Sequence, residues 1–245
     1  MKEGLYLNRL NFHILAKGHD IPAVFWGNPA DAMIIAVHGM MSNKTDAVIA
    51  DLADVVVCKG YCVLSFDLPE HGERMGTDFA LTPDHAVGDL QSVYDYAKTC
   101  TRSIVLFGCS LGAYLSLIAY PEGHPQQVLF LSPLVDMQSF IQGVMTINNI
   151  DDEQLKREQT IAIPNGPPLS WAYLQQAIAR PVSPTWDCPI DILYGANDTV
   201  VPKSQIDNFA QRYRAQVQIL AGGDHFFHTK DQMTTFRSWI DRSLV

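Results

Sequence analysis

The stretch "LFGCSLGAY", Leu106–Tyr114, places Ser110 between two glycines that each lie two residues away. It belongs to an apolar run, 104–120, that contains no charged residue. The segment "SIVLF" before it is typical of a buried strand, and the segment after Ser110 is typical of a buried helix. A sharp strand-to-helix turn strains its central residue and leaves no room for a Cβ at the two glycine positions. We therefore predict that Ser110 projects its hydroxyl from the carboxyl edge of a sheet.

Composition limits the possible classes of protein. The 245 residues are 47% hydrophobic and 18% charged, enough for one large α/β domain, or two small ones, with a sizeable core. The net charge of −9 argues against a partner that is a nucleic acid. Five scattered cysteines favour a reducing compartment over a disulfide framework. The first eighteen residues lack an apolar signal region and a cleavage site, so we expect no signal peptide and a cytoplasmic location.

The chain alternates between predicted strands and helices. An antiparallel pair is predicted at 5–15 and 21–26, followed by strands at 33–37, 61–66, 103–107, 127–131, 190–194 and 217–220. Helices are predicted at 45–57, from Pro83 after an N-cap at Thr82, after Ser110, at 206–213 and at 233–244. This alternation predicts an α/β fold with a mostly parallel central sheet and helices on both faces. The run 104–120 is therefore interpreted as strand plus helix, because it is too short and too interrupted for a membrane span.

One long segment, 135–186, contains no clear core strand. Within it, 148–159 is predicted to be helical, 161–169 to be a turn or short hairpin, and 169–179 to be an amphipathic helix. An insertion of this length between two core strands favours a cap over the sheet, although a surface elaboration without a role is the alternative. Its aromatic residues Trp171, Tyr173 and Trp186 are expected to be packing residues rather than ligand contacts.

Four segments together resemble the α/β-hydrolase family, and the resemblance covers nearly the whole chain. "GCSLG" resembles the nucleophile elbow and implies that Ser110 is the nucleophile. "VHGM" resembles the loop after the third strand and implies that the Met40 N–H stabilises an oxyanion. "YGANDTVVP" and "GGDHFF" resemble the loops that carry the acid, Asp198, and the catalytic histidine, His225. The implied α/β-hydrolase fold has a core domain formed by 1–134 and 187–245 and an inserted cap at 135–186.

A further stretch, "FDLPEHGER" at 66–74, is similar to the Asp-x-x-Gly-His-Gly loop of carboxylesterases and monoacylglycerol lipases. It departs from that pattern in having Pro-Glu before His71. Cys109 is also unusual, because its position often holds a larger polar or aromatic residue.

The chemistry of acyl transfer requires these residue types independently of any family. A serine hydroxyl is a poor nucleophile at neutral pH and needs an adjacent base, the role expected of His225. Asp198 would hold the imidazole tautomer and stabilise the imidazolium that forms. Two backbone N–H groups would stabilise the oxyanion of the tetrahedral intermediate: the turn supplies that of Leu111, and the family resemblance implies that of Met40.

Several residues compete for these roles. Asp191 falls within a predicted strand and Asp224 adjoins the histidine, so both are less suited to orienting the imidazole than the acid named above. His228 completes a His-x-x-His pair, but no further ligand set accompanies it, so we expect no metal site. His38 and His71 are expected to shape loops through hydrogen bonds.

The sequence therefore predicts a serine hydrolase that cleaves a small-molecule acyl ester through an acyl-enzyme, without a cofactor or metal. The closest resemblance in function is to small lidded carboxylesterases, including hydroxycinnamoyl-type esterases and monoacylglycerol lipases. A thioesterase or acyl-peptidase would use the same triad, and a catalytically silent ligand-binding protein is the alternative from another class. The oligomeric state stays open.

Overall fold

The central sheet of the computed structural model contains eight of the ten strands found in the described residues, 8–16, 18–164 and 166–244. In chain order the strands are β1 Arg9–Ala16, β2 His19–Trp26, β3 Ala32–Val37, β4 Tyr61–Phe66, β5 Ser103–Cys109, β6 Gln127–Leu131, β7 Thr160–Ile161, β8 Leu169–Ser170, β9 Ile190–Gly195 and β10 Gln216–Leu220. The helices are α1 Ala47–Val57, α2 Pro83–Cys100, α3 Leu111–Ala119, α4 Met137–Ile147, α5 Asp152–Glu158, α6 Trp171–Ala179, α7 Lys203–Tyr213 and α8 Lys230–Ser243.

The sheet has the strand order β1-β2-β4-β3-β5-β6-β9-β10. The pairs β1–β2 and β2–β4 are antiparallel, and all other neighbours in this sheet are parallel. The predicted α/β fold class is confirmed, as is the opening antiparallel pair, although residues 5–7 of its first predicted strand lie outside the described residues. Because the parallel strands share one direction, their carboxyl ends lie at one edge of the sheet.

Helices cover both faces of this sheet, and the alternating side chains of the strands divide the core in two. Ile35 and Leu106 point to the face covered by α2 and α3. Ile34 and Val105 point to the opposite face, covered by α1 and α8. All four side chains are at most 2% exposed, which explains why the inner strands are continuously apolar rather than alternating.

Local signals set the starts of the helices. The Thr82 hydroxyl accepts the backbone N–H of His85 with proline in the first turn, so the predicted cap of α2 is confirmed. Asp46 caps α1 in the same way, which places the start of that helix at residue 47 rather than 45.

The segment between β6 and β9 contains three helices and an antiparallel pair, β7–β8, in which each strand has two residues. The helix predicted at 148–159 is shorter than expected, because Asn148 ends α4 and Asp151 begins α5. Helix α4 was not predicted, although its buried residues Met137, Ile141 and Met145 recur every four positions. Asn165, in the predicted turn, lies outside the described residues.

None of the helices in the described part of the chain is long and apolar enough to cross a membrane.

The first turn of α3 packs directly against the end of β3. A Cβ added to Gly112 would overlap the carbonyl oxygens of Val37 and His38, which are backbone atoms and cannot rotate away. We expect Gly112→Ala to lower the free energy of unfolding by about 2 kcal/mol or more, measured by urea denaturation. Gly88→Ala is the matched control, because Gly88 lies in α2 with nothing within 4 Å of its Cβ position. That substitution should stabilise the protein by up to about 1 kcal/mol, and equal effects of the two would contradict the packing argument.

Candidate functional site

Ser110 occupies the turn between β5 and α3 in a strained backbone conformation. Its φ is 49° and its ψ is −112°, outside the regions that L-residues normally adopt. The Ser110 N–H donates to the Leu131 carbonyl at 3.0 Å, which ties the turn to the end of β6. A Cβ at Gly108 would lie 2.7 Å from Ala113 Cα, so both glycines of the opening stretch are required by close backbone contact.

Asp198 lies in the loop after β9, and backbone groups hold its carboxylate. Its Oδ1 accepts the N–H groups of Val200 at 2.8 Å and Val201 at 2.9 Å. Its side chain is 0% exposed, so the second oxygen is shielded from water as well. These two bonds leave Oδ2 available to a third partner.

That partner is His225, in the loop after β10. His225 Nδ1 lies 2.7 Å from Asp198 Oδ2, and His225 Nε2 lies 2.8 Å from Ser110 Oγ. Because an ionised carboxylate only accepts, Nδ1 carries the proton and Nε2 is free to accept the serine hydroxyl. The three side chains therefore form one continuous hydrogen-bonded chain, although Ser110 and His225 are 115 positions apart in the sequence.

The competing residues lie elsewhere. Asp191 Oδ2 accepts from Gln127 within the sheet, and Asp224 Oδ2 accepts from Gln232 of α8. His228 is exposed and its Nδ1 bonds the Phe226 carbonyl. None of these contacts reaches the serine.

The loop after β3 lies against the turn of Ser110. A Cβ at Gly39 would be 3.3 Å from the Cys109 carbonyl and 3.5 Å from Ser110 Cβ, so the two backbones pass close together. Within the described residues, the backbone N–H groups of Met40 and Leu111 donate no hydrogen bond to the chain. Both groups are therefore available to an external acceptor.

Cys109 is the neighbour of the serine and a potential rival nucleophile. Its thiol is buried, and burial raises its pKa to about 12. The thiol therefore stays protonated at neutral pH, and it is the thiolate that reacts.

Two histidines connect the loop after β3 with the loop after β4. His38 Nε2 accepts the Leu68 N–H at 3.1 Å, and His71 Nε2 accepts the Met41 N–H at 3.0 Å. Each loop thus supplies an imidazole to a backbone donor of the other. These contacts match the loop-shaping role expected from the sequence, and burial lowers the pKa of His38 to about 4, which keeps that ring neutral.

A buried ion pair joins the same two loops, and no sequence pattern pointed to it. Lys44 Nζ contacts the carboxylates of Asp67 and Glu73. Asp67 is 0% exposed and also accepts the backbone N–H of Lys44 at 2.9 Å and of Glu73 at 3.0 Å. Three donors from two loops thus reach the Asp67 carboxylate and compensate the cost of burying it.

A cavity of about 290 Å³ lies between the core and the segment 135–186. Its lining is divided about equally between apolar and polar surface, and the polar part includes Asp136, Arg180 and Arg212. The apolar lining includes Val135, Met137, Ala177, Ile178, Val182 and Phe209. Tyr114, one helical turn after Ser110, also lines it, and the Leu134 N–H donates to the Ser110 carbonyl at 3.2 Å. The cavity is therefore connected to the serine turn only through the first turns of α3, and neither Ser110 nor His225 is among its lining residues.

Two tyrosine hydroxyls in this region have no hydrogen-bond partner within the described residues, those of Tyr114 and Tyr173. Burial raises the pKa of both phenols, so both remain neutral donors. The predicted packing role of the inserted aromatics is confirmed for Trp171, Tyr173 and Trp186, which are all partly buried against the larger core cluster. The Trp186 Nε1–H also donates to the Tyr120 carbonyl at 2.6 Å.

Comparison with known proteins identifies the family. The model of the alpha/beta hydrolase family matches residues 34–237. No curated protein sequence matches the chain significantly.

Solved structures share the fold at low sequence identity. Est1E from Butyrivibrio proteoclasticus, solved with ferulic acid bound, is 18% identical with a TM-score of 0.79, over 95% of this chain and 97% of its own. Mouse alpha/beta hydrolase domain-containing protein 10 is 18% identical with a TM-score of 0.72, over 97% of both chains. The thioesterase domain from the curacin biosynthetic pathway is 15% identical with a TM-score of 0.64, over 95% of this chain and 99% of its own.

The buried neutral His38 predicts a pH dependence of stability. An unfolded histidine titrates near about 6.5, whereas the pKa of His38 in the folded protein is about 4. Between these two pH values only the unfolded chain binds the proton, which favours unfolding. The contribution of neutral His38 to the free energy of unfolding is therefore complete above pH ~6.5 and is lost as the pH falls towards 4. Glutamine at this position keeps an acceptor for the Leu68 N–H but does not titrate. We therefore expect the acid-induced decrease in the free energy of unfolding to be smaller in His38→Gln than in wild type, by up to about 3 kcal/mol.

Urea denaturation of wild type and variant at neutral and acidic pH measures this difference. His124→Gln, at an exposed histidine, is the control substitution. A His38→Gln protein that loses as much stability in acid as wild type would contradict the assignment.

Proposed function

Because the chain belongs to the alpha/beta hydrolase family, we propose that it is a serine hydrolase that cleaves carboxylic esters through an acyl-enzyme. The observation that carries this proposal is the hydrogen-bonded chain from Ser110 through His225 to Asp198, with contacts of 2.8 and 2.7 Å. The order of these residues along the chain is the order typical of the fold.

In the first step, Ser110 Oγ attacks the acyl carbon while His225 Nε2 accepts its proton. Asp198 stabilises the imidazolium, and because backbone N–H groups hold that carboxylate, the ring stays oriented throughout. The carbonyl oxygen becomes an oxyanion, to which Met40 and Leu111 each offer an unused N–H. One such donor is typically worth about 3 kcal/mol in the transition state.

The tetrahedral intermediate collapses when His225 returns the proton to the departing alcohol oxygen. The acyl group then remains on Ser110 as an ester. Water enters, gives its proton to the same imidazole nitrogen and attacks the acyl carbon, and the second collapse releases the acid and restores the serine. The same three groups thus serve both halves of the reaction.

The segment 135–186 is proposed to act as a cap that bounds the acyl pocket. Support comes from the cavity, whose wall combines Tyr114 of α3 with Ala177 and Val135 of the inserted segment. The apolar half of its lining suits an acyl chain, and its volume is close to the lower limit for small-molecule sites. The unpartnered hydroxyls of Tyr114 and Tyr173 are suited to a polar group of the substrate or to water.

Removing the nucleophile is the direct test of the mechanism. We expect Ser110→Ala to lower kcat on a nitrophenyl ester by about 10⁶-fold, as for serine nucleophiles in general. Asp198→Asn should lower kcat by about 10⁴-fold, because the amide favours the wrong imidazole tautomer. Asp191→Asn is the matched control, since Asp191 bonds Gln127 away from the serine. Near-wild-type turnover by folded Ser110→Ala would refute the proposal.

Filling the cavity tests the role of the cap. Each buried CH₂ is worth about 0.8 kcal/mol, or roughly fourfold in kcat/KM, so activity should rise with acyl length until the pocket is full. We expect Ala177→Leu to move that limit to a shorter chain without affecting an acetyl ester. Ala172→Leu, on the exposed side of the same helix α6, should keep the wild-type profile. Identical chain-length profiles for wild type and both variants would show that the cavity does not bind the acyl chain.

A further inference from the structure

His71 is held in a single tautomer by its two hydrogen bonds. The Met41 N–H can only donate, so His71 Nε2, at 3.0 Å, must be unprotonated. The proton is therefore on Nδ1, which donates to the Pro69 carbonyl at 2.8 Å. The ring is 6% exposed, so water offers little competition for either bond.

The residue that His71 bonds has an unusual backbone. Met41 has a φ of 57°, a left-handed conformation that is costly for a residue with a side chain. Its side chain is 75% exposed, so side-chain packing does not hold it there. The bond from its N–H to the imidazole is thus a main constraint on this turn.

The loop that carries His71 is itself anchored on both sides of the ring. Asp67, four residues before, bonds the backbone of Lys44 and of Glu73. Gly72 has a φ of 54°, and a Cβ there would overlap the Asp67 carboxylate. The imidazole is therefore presented to Met41 from a fixed support rather than from a free loop.

We propose that His71 is a positioning residue for ester cleavage. Its Nε2 fixes the Met40–Met41 peptide, which restricts rotation of the Met40 backbone and thereby holds the preceding peptide with the Met40 N–H directed toward the developing oxyanion. This inference rests on the proposed function, in which Met40 supplies one of the two oxyanion donors. The imidazole itself does not touch the substrate. Its effect should therefore appear in the transition state and not in ground-state binding.

Two amide substitutions separate the two bonds of the ring. In His71→Gln the amide oxygen can take the place of Nε2 and accept the Met41 N–H. In His71→Asn the shorter amide can donate to the Pro69 carbonyl but cannot reach Met41. We expect His71→Asn to lower kcat by about 10- to 100-fold, part of the loss seen when an oxyanion donor is removed, with KM within about twofold. His71→Gln should retain kcat within about threefold of wild type, since it keeps the acceptor.

A tetrahedral adduct gives a second readout that a purely structural role would not change. The affinity for an aryl trifluoromethyl ketone should fall in His71→Asn by the same factor as kcat/KM, and it should be retained in His71→Gln. Equal kcat in the folded Asn and Gln variants would overturn the inference, as would a loss confined to KM. The proposed function is tested separately by comparing wild type with Ser110→Ala. If wild type turns over the ester and Ser110→Ala does not, the proposed function holds, whatever the result for His71. No wild-type turnover would refute both.

The wild-type protein provides a test that does not depend on whether either variant folds. A through-hydrogen-bond coupling between the Met41 amide nitrogen and His71 Nε2 should be detectable by NMR in ¹⁵N-labelled protein, with the proton of His71 on Nδ1. Absence of that coupling, or a proton on Nε2, would overturn the inference.

Discussion

The left-handed turn at Ser110 is the constraint on which the rest of the site depends. A residue with a side chain at φ 49° is strained by about 1–3 kcal/mol, so the surrounding structure must hold it in place. Two hydrogen bonds hold it: the Ser110 N–H donates to the Leu131 carbonyl, and the Leu134 N–H donates to the Ser110 carbonyl. The close packing of α3 on β3 holds the turn as well. This turn places the Ser110 hydroxyl at the sheet edge, beside the first N–H groups of α3.

Parallel strand order explains why distant residues meet around that hydroxyl. The loops after β3, β5, β9 and β10 all leave the carboxyl edge of one sheet, which is where open α/β sheets bind their ligands. They bring Met40, Ser110, Asp198 and His225 to the same edge. The loop after β4 contributes no group to the proposed chemistry, but it supports the loop after β3 through His71 and Asp67.

Much of this arrangement could be predicted from the sequence, because it is encoded locally. The apolar runs gave the inner strands, Thr82 and Pro83 gave the start of α2, and the two glycines around Ser110 gave the turn. The pairing of Lys44 with Asp67 could not be predicted, since it joins residues 23 positions apart without any periodic pattern. The same is true of the bond from Met41 to His71, for which the sequence supplied the histidine but not its partner.

Helix α4 was missed for a different reason. Its apolar spacing is present, but Gly143 and several β-branched residues weaken its helical propensity, and its stability comes from burying Met137, Ile141 and Met145. The division of the chain into a core and a cap at 135–186 stays a prediction.

The most direct test of the central claim is to identify the residue that becomes acylated. A slow nitrophenyl ester is mixed with the protein, the reaction is quenched with acid during turnover, and the intact protein and its peptides are weighed by mass spectrometry. The account predicts one acyl group per chain, located on Ser110, that disappears as the substrate is exhausted. Steady ester turnover with no adduct on Ser110, or with the acyl group on another residue such as Cys109, would contradict it.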